Sequence, residues 1–340
     1  MSEMVKKHPK FLIWRMPNNM KKHLIILLLS LISAFIVCNF TEDISYKILG
    51  NVYFKSVVRI KVGYDSLGIP IVDYGFGKIR NPVTVSQHAM EFFECEKRRE
   101  FINCANWLVD NSKSFGEYSI LEYAFPWPIF NLTSPWRSGM AQAQAIQVLT
   151  RAYDFTKDIK YLNCAKELLN AFFVEVKDGG VTYKTVNNGW WYEEYADEGR
   201  TKSMVLNGMM FTVLGIYEYY EYTQNSDAKY LFDQGIISLK ENLYRYNKNG
   251  YSYYDILEHP AGAGYHNVYI QLLDSLYNIT NEIVFQEYSN IWEKYKKTPL
   301  ILRMIEKPTK AGIAIFVFNF FILFGLLEII VSFKKRKHTN

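Results

Sequence analysis

The chain has 340 residues, 49% of them apolar, with 26 tyrosines, 23 phenylalanines and a formal charge of +5. Ten Lys and Arg in the two tails stand against Glu3 alone, so the residues between the tails are net acidic by four. An acidic middle excludes nucleic acid as a partner, and the four cysteines have no metal-binding spacing, so neither a metal nor a cofactor is expected.

Residues 1–23 form a basic tail carrying Lys6, Lys7, Lys10, Arg15, Lys21 and Lys22. The uncharged run 24–40 follows, and a second apolar run, 311–333, closes on the basic residues 334–340. Roughly 20 apolar residues span a bilayer, so each run is read as a transmembrane helix. Basic residues collect on the cytoplasmic side. Both tails are therefore expected in the cytoplasm and the middle of the chain outside it, in the Golgi lumen if the source is eukaryotic. A cleaved signal peptide is the rival for the first run, but no Ala-x-Ala site follows it. Glu328, near the end of the second run, is expected to reach the headgroups.

Residues 45–85 read as a small β or extended arm, with Val57-Val58-Arg59-Ile60-Lys61-Val62 and Ile69-Pro70-Ile71-Val72-Asp73-Tyr74 as its strands. From 86 to 300 the chain repeats itself as an apolar helix, a polar turn and a second helix. The first members are Ser86–Glu96, Gly139–Phe155, Ser203–Tyr222 and Gly264–Ile279. The second members pair an aromatic with a small residue four positions on: Phe101 with Ala105, Tyr161 with Ala165 and Phe285 with Ser289. The third fits less well, with Gly235 five beyond Tyr230. Cys104 and Cys164 fall at matching positions as small buried residues, and Cys95 is within reach of a disulfide to Cys104 in an oxidising compartment. Helix pairs stack because each buries its apolar face only against neighbours. Four pairs predict a mainly α protein, an incomplete α/α toroid or barrel; a straight solenoid is the alternative.

In a toroid the loops before inner helices ring one mouth. Three such loops are aromatic and polar: 123–144, 187–198 and 251–267. Asn187-Asn188-Gly189-Trp190-Trp191-Tyr192-Glu193-Glu194-Tyr195-Ala196-Asp197-Glu198 packs aromatic rings beside carboxylates, a pattern suited to holding a sugar while burial raises an acid's pKa. Gln142 and Gln144 stand at an apolar helix start, where unpaired amides are costly, so ligand contact is expected of them. The same residue types serve equally as core aromatics and a solvated turn.

Trp190 to Tyr195, Val205-Leu206-Asn207-Gly208, Met140 to Ala145 and Tyr253-Tyr254-Asp255 resemble the C-terminal catalytic domain of D-glucuronyl C5-epimerases, in the same order from about Tyr123 to Tyr295. Those enzymes convert glucuronate to iduronate within heparan-type chains, on an α/α-barrel domain. The resemblance implies catalytic roles for Glu194, Tyr195, Tyr254 and Tyr265. Substrate contacts are expected from Trp136, Arg137, Gln142, Gln144, Trp191, Tyr192, Asn207 and His266, with a uronic-acid polysaccharide as partner and a homodimer allowed. After the Tyr-Asp pair that family carries an arginine able to meet the uronate carboxylate, where this chain reads Ile256-Leu257-Glu258-His259. Arg137, Arg151 and His266 are the substitutes in view. A shorter N-terminal portion and the added apolar run look prokaryotic, so the substrate need not be heparosan. A uronate lyase, a glycoside hydrolase using Glu194 with Asp197 and a non-catalytic glycan-binding membrane protein are the competing functions.

Overall fold

The computed structural model describes residues 17–53, 61–185, 188–199, 202–259 and 261–337. The basic tail up to residue 16, Val57 to Ile60 of the first strand candidate, and Asn187 lie outside the described residues. The described residues fall into two compact units, one within Met1–Val57 and Lys296–Asn340, the other within Val58–Tyr295.

The first unit begins with helix α1 (Asn18–Tyr53), which runs on past the apolar segment, so 45–53 are helical and not part of an arm. In the second unit β1 (Lys61–Tyr64), β2 (Pro70–Asp73) and β3 (Lys78–Ile79) form a small antiparallel sheet, Val62 facing Val72 and Val72 facing Ile79. Helices α2 (Pro82–Glu94) and α3 (Arg98–Asn111) follow. Strands β4 (Ser112–Ser114), β5 (Ser119–Tyr123) and β6 (Trp136–Arg137) then lead into α4 (Gly139–Thr156) and α5 (Ile159–Asn170). Next come β7 (Thr182–Lys184) and β8 (Trp190–Tyr192) before α6 (Leu206–Thr223) and α7 (Ser226–Asn242), then β9 (Asn247–Lys248) and β10 (Tyr251–Ser252) before α8 (Ala263–Thr280) and α9 (Ile283–Lys297). The chain returns to the first unit with α10 (Leu300–Glu306) and α11 (Lys310–Lys337).

In the first unit α1 and α11 lie antiparallel, held by Asn319. Its Oδ1 accepts from Thr41 Oγ1 at 2.9 Å and its Nδ2 donates to Ser45 Oγ at 3.0 Å. The Glu328 carboxylate meets His23 Nδ1 at 2.6 Å, a pair that stays partly exposed. The segments Met20–Glu42 and Lys310–Phe333, with mean hydropathy 2.5 and 2.6, make two helices long and apolar enough to cross a membrane.

The second unit is an incomplete toroid of four helix pairs. α2, α4, α6 and α8 pack one on the next as inner members, and α3, α5, α7 and α9 each follow their partner outside. One residue in the left-handed region turns the chain within every pair: Glu96, Lys157, Gln224 and Asn281, with φ between 54° and 59°. Four of the helix starts are capped by side chains, Asn81 on Thr84 N, Ser138 on Ala141 N, Asp158 on Lys160 N and Asn225 on Ala228 N. The aromatic–small pairs expected on the outer helices are buried: Phe101 with Ala105, Tyr161 with Ala165, Phe285 with Ser289. In α7 the register is one residue later. Leu231 is buried where Tyr230 stays exposed, and Gly235 then stands four positions on. A Cβ at Gly235 would come within 2.4 Å of Val213, so glycine is what lets α7 close on α6. Cys104 and Cys164 are buried as expected, and the thiols of Cys95 and Cys104 are both free.

Gln142 fastens α4 to the sheet. Its Oε1 accepts from Leu121 N at 3.0 Å, and its Nε2 donates to Leu121 O at 3.0 Å and Ser138 O at 3.3 Å. Both ends of the amide are bonded within the protein, which removes the unpaired amide that the sequence expectation rested on: the central strand β5 and Ser138 supply the partners. Gln142→Leu leaves both Leu121 main-chain groups buried and unpaired, at about 1–3 kcal/mol each. It is expected to lower the urea midpoint of unfolding with an unchanged slope.

Candidate active site

Three loops meet where α4 and α6 begin. Gly139 N donates to Glu193 O at 2.7 Å, Arg137 and Ala196 exchange main-chain bonds at 2.9 Å, and Leu206 N donates to Tyr254 O at 3.1 Å. That last bond stands in for a side-chain cap, which α6 lacks. The pairing of β7 with β8, Tyr183 opposite Trp191, fixes the facing of each residue that follows.

Glu193, Glu194 and Tyr195 take different fates. Glu193 is wholly buried; its Oε1 accepts from Ser203 Oγ at 2.7 Å and Tyr195 N at 3.3 Å, and its Oε2 from Met204 N at 2.9 Å. Glu194 turns to the first turn of α6, where a Cβ on Gly208 would lie 2.3 Å from its Oε2. Glycine there is space for a carboxylate. That oxygen is buried and has no hydrogen-bond partner. Burial pushes the Glu194 carboxyl up to about 8, with Tyr195 acting the other way and the Glu193 charge adding to the rise.

The tyrosines gather round it. Tyr195 and Tyr254 bring their hydroxyls to 3.3 Å, and the Tyr254 ring lies 5.0 Å from that of Tyr265. Tyr195 is stacked on Phe130 at 4.4 Å and leans on Trp136 at 5.7 Å. Trp136 is fixed in turn by stacking on Tyr123 at 3.8 Å and by its indole N–H, which donates to Phe125 O at 2.8 Å. Tyr265 is 46% exposed, the most open of the three tyrosines. Burial, then the charge of Glu194, raises the Tyr254 and Tyr265 hydroxyls above the usual phenol range, and Tyr195 stands far above it for the same reasons. These phenols are protonated at neutral pH; the titrating group among them is Glu194.

Other expected contacts lie elsewhere. Tyr192 is core, its hydroxyl donating to Leu231 O at 2.5 Å. Its neighbour Trp191 points the opposite way across the strand, stacks on Tyr246 at 5.9 Å and lines a separate cavity of about 390 Å³ with Tyr183, Lys202 and Arg245. Arg137 is buried toward Val176 O and Glu198. His266 lies under Tyr251, its Nδ1 at 2.8 Å from Ser252 Oγ and its Nε2 at 3.1 Å from Trp292 O, so a packing role replaces the expected substrate contact. Arg151 pairs with Glu218. Asn207 accepts from Tyr269 at 3.4 Å and braces the helix that carries Tyr265. Gln144 keeps a buried, unpartnered Oε1. Asp197 accepts from Thr133 N at 3.1 Å and Thr133 Oγ1 at 3.2 Å. Among the described residues no group of three or more His, Cys, Asp or Glu is placed to hold a metal.

Phe130 and Tyr269 belong to the site and were passed over in the sequence; Phe130 stands in a Pro-rich loop with no pattern to mark it. Because the folded carboxyl of Glu194 sits near 8 against an ordinary value of 4.5, its contribution to stability is full below 4.5 and is lost as pH rises through 8. Glu194→Gln is expected to flatten the fall in thermal midpoint between pH 5 and 8 relative to the unaltered protein.

Residues 116–294, just over half of the chain, match the family model described as D-glucuronyl C5-epimerase C-terminus. An uncharacterized protein of Methanocaldococcus jannaschii is 34% identical over 181 residues, 52% of this chain and 58% of that one. The D-glucuronyl C5-epimerase of Caenorhabditis elegans is 30% identical over 245 residues, 66% of this chain and 39% of that one. The chain thus spans less than two thirds of either relative. A GH76 alpha-mannanase of Bacteroides thetaiotaomicron superposes with a TM-score of 0.44 at 13% identity, covering 78% of this chain and 71% of that one. With the matched segment running from the β4–β5 turn through α9 and containing the whole Glu194–tyrosine cluster, the chain belongs to the D-glucuronyl C5-epimerase C-terminus family.

Proposed function

We propose that this chain is a membrane-anchored uronate C5-epimerase acting on a polysaccharide, with the toroid as its catalytic domain. The observation that carries the reading is the meeting of three phenols and one buried carboxyl, Tyr195, Tyr254, Tyr265 and Glu194, in a single recess. The C5 proton of a uronate lies α to a carboxylate. Its removal breaks the C5–H bond and leaves the electron pair in an enolate-like carboxylate; a new C5–H bond formed from the other face inverts the centre.

Two separate proton carriers are needed. Tyr265, the most open of the three, is assigned to one face, and the Tyr195–Tyr254 pair to the other. A phenol pushed above its usual range is a poor base by itself, so with Glu194 in its ionised form the pair passes its proton to that carboxylate as it takes the one from C5, and Glu194 then releases the proton to solvent. The second phenol gives its proton to carbon and recovers it from solvent. A lyase would share the first step and then expel the C4 substituent. α1 and α11 are the anchors in this reading, with both basic tails in the cytoplasm and the toroid outside it.

The solubilised protein is incubated with uronate polymers in deuterated water. Deuterium is expected at C5 without chain cleavage; an ultraviolet-absorbing unsaturated product in its place identifies a lyase. Tyr265→Phe keeps the ring and is expected to lose ~10²–10⁴-fold in rate with affinity largely kept. Near-normal turnover in that variant removes Tyr265 from the chemistry. A reporter fused after Asn340 is expected to read cytoplasmic, and an extracytoplasmic signal rejects α11 as a span.

A further inference from the structure

Among the described residues no Lys or Arg is paired with the Glu194–tyrosine cluster. Arg137 pairs with Glu198 and Arg151 with Glu218, while Lys202 lies over Tyr183 and Lys248 over Tyr253. None of these contacts is with Glu194, Tyr195, Tyr254 or Tyr265. Proton abstraction builds a second negative charge on a sugar that already carries one, inside a site that burial has made hostile to anions. A cation or strong donor at its edge is a physical requirement of that step.

His259 stands at that edge. The Tyr254 N–H donates to the His259 carbonyl at 2.6 Å, which closes 254–259 into a loop and sets the histidine beside the tyrosine. Asp255 has no exposed surface and spends its carboxylate inside the loop. Its Oδ1 accepts from Leu257 N at 3.1 Å and His259 N at 3.2 Å, and its Oδ2 meets His259 Nδ1 at 2.6 Å. A carboxylate only accepts, so Nδ1 carries a hydrogen. The imidazole is otherwise 61% exposed, and Nε2 has no partner among the described residues. Its ring lies 6.4 Å from Phe130, the same ring that stacks on Tyr195. A histidine present only to satisfy Asp255 has no need of this position between Tyr254 and Phe130.

We propose that His259, aimed by Asp255, is the group that meets the carboxylate of the sugar bound at Tyr195 and Tyr254. Donation through Nε2 takes the form with hydrogen on both ring nitrogens, and Asp255 is a positioning residue. The assignment rests on reading the recess as a uronate site. It is specific to an acidic sugar, because a neutral hexose gives Nε2–H no anion to meet.

Calorimetry decides it, with the full 340-residue chain in detergent. The probes are a hexasaccharide of alternating glucuronate and N-acetylglucosamine and the same hexasaccharide with its carboxylates reduced to alcohols. The unaltered protein is expected to prefer the acidic form about tenfold to hundredfold, the range of one charge-assisted hydrogen bond. His259→Ala is expected to abolish the preference, and His259→Arg to keep it. Asp255→Asn is expected to reduce the preference without changing affinity for the reduced form; a purely structural role would weaken both alike. Equal binding of the two probes by the unaltered protein, or a preference that survives His259→Ala, overturns the assignment. A preference that follows His259 in a protein that exchanges no C5 deuterium upholds the assignment and rejects the epimerase reading. Exchange at the full rate in His259→Ala, with the preference intact, does the reverse.

Discussion

The buried residue Glu193 fastens its own loop to the segments that enter α4 and α6. Its side chain takes the Ser203 hydroxyl and the Met204 N–H from the segment entering α6, together with the Tyr195 N–H from its own loop. Its carbonyl takes the Gly139 N–H at the start of α4, and its own N–H donates to Val181 O just before β7. A charge taken out of water is tolerated when its lone pairs are used, and here they join the segment entering α6 to the loop that follows β8. Burial still raises the Glu193 carboxyl above its ordinary range, so the clamp is bought against desolvation. Tyr195 and Glu194, next in sequence, inherit their directions from it.

The contrast with Glu194 follows from supply of donors. Both acids are enclosed by aromatic walls, but one meets three donors and the other has an oxygen with none. Unpaired burial favours the neutral acid, which places the Glu194 titration where proton transfer at neutral pH is possible. The same dry surroundings raise every phenol nearby and so work against any of them as a free phenolate. In the proposed reaction, proton movement is therefore a matter of exchange between neighbours, and those dry surroundings call for a nearby donor to the developing charge.

Much of the toroid was legible because repetition carries information beyond any one residue. The inner helices start and stop within a few residues of their apolar patterns, and the aromatic–small spacing on α3, α5 and α9 marks faces that are in fact buried. α7 escaped the pattern because Tyr230 offers an aromatic one position too early, and the small residue it should pair with was Gly235, four beyond Leu231. The extension of α1 through residue 53 was illegible for a different reason: past residue 40 the segment is polar, and apolar length had been the only measure of that helix.

Individual contacts were harder to read than faces. Trp191 and Tyr192 sit in one short strand, and adjacent strand residues point to opposite sides, so a motif of consecutive aromatics cannot send both to a single ligand. Tyr265 and His266 divide in the same way on the first turn of α8, one exposed and the other under Tyr251. Gln142 was misread because its partner, the main chain of Leu121, has no side-chain signature. Asp255 and His259 were visible as an acid and a histidine four apart, but only the loop closure from Tyr254 N to His259 O turns that spacing into a contact. Across these cases the sequence specifies which residues are costly to bury, and the fold decides whether the cost is met by a main-chain partner, as for Gln142 and Glu193, or left open, as for Glu194. An unmet cost enclosed by residues whose own costs are met is a physical mark of a place kept for something else.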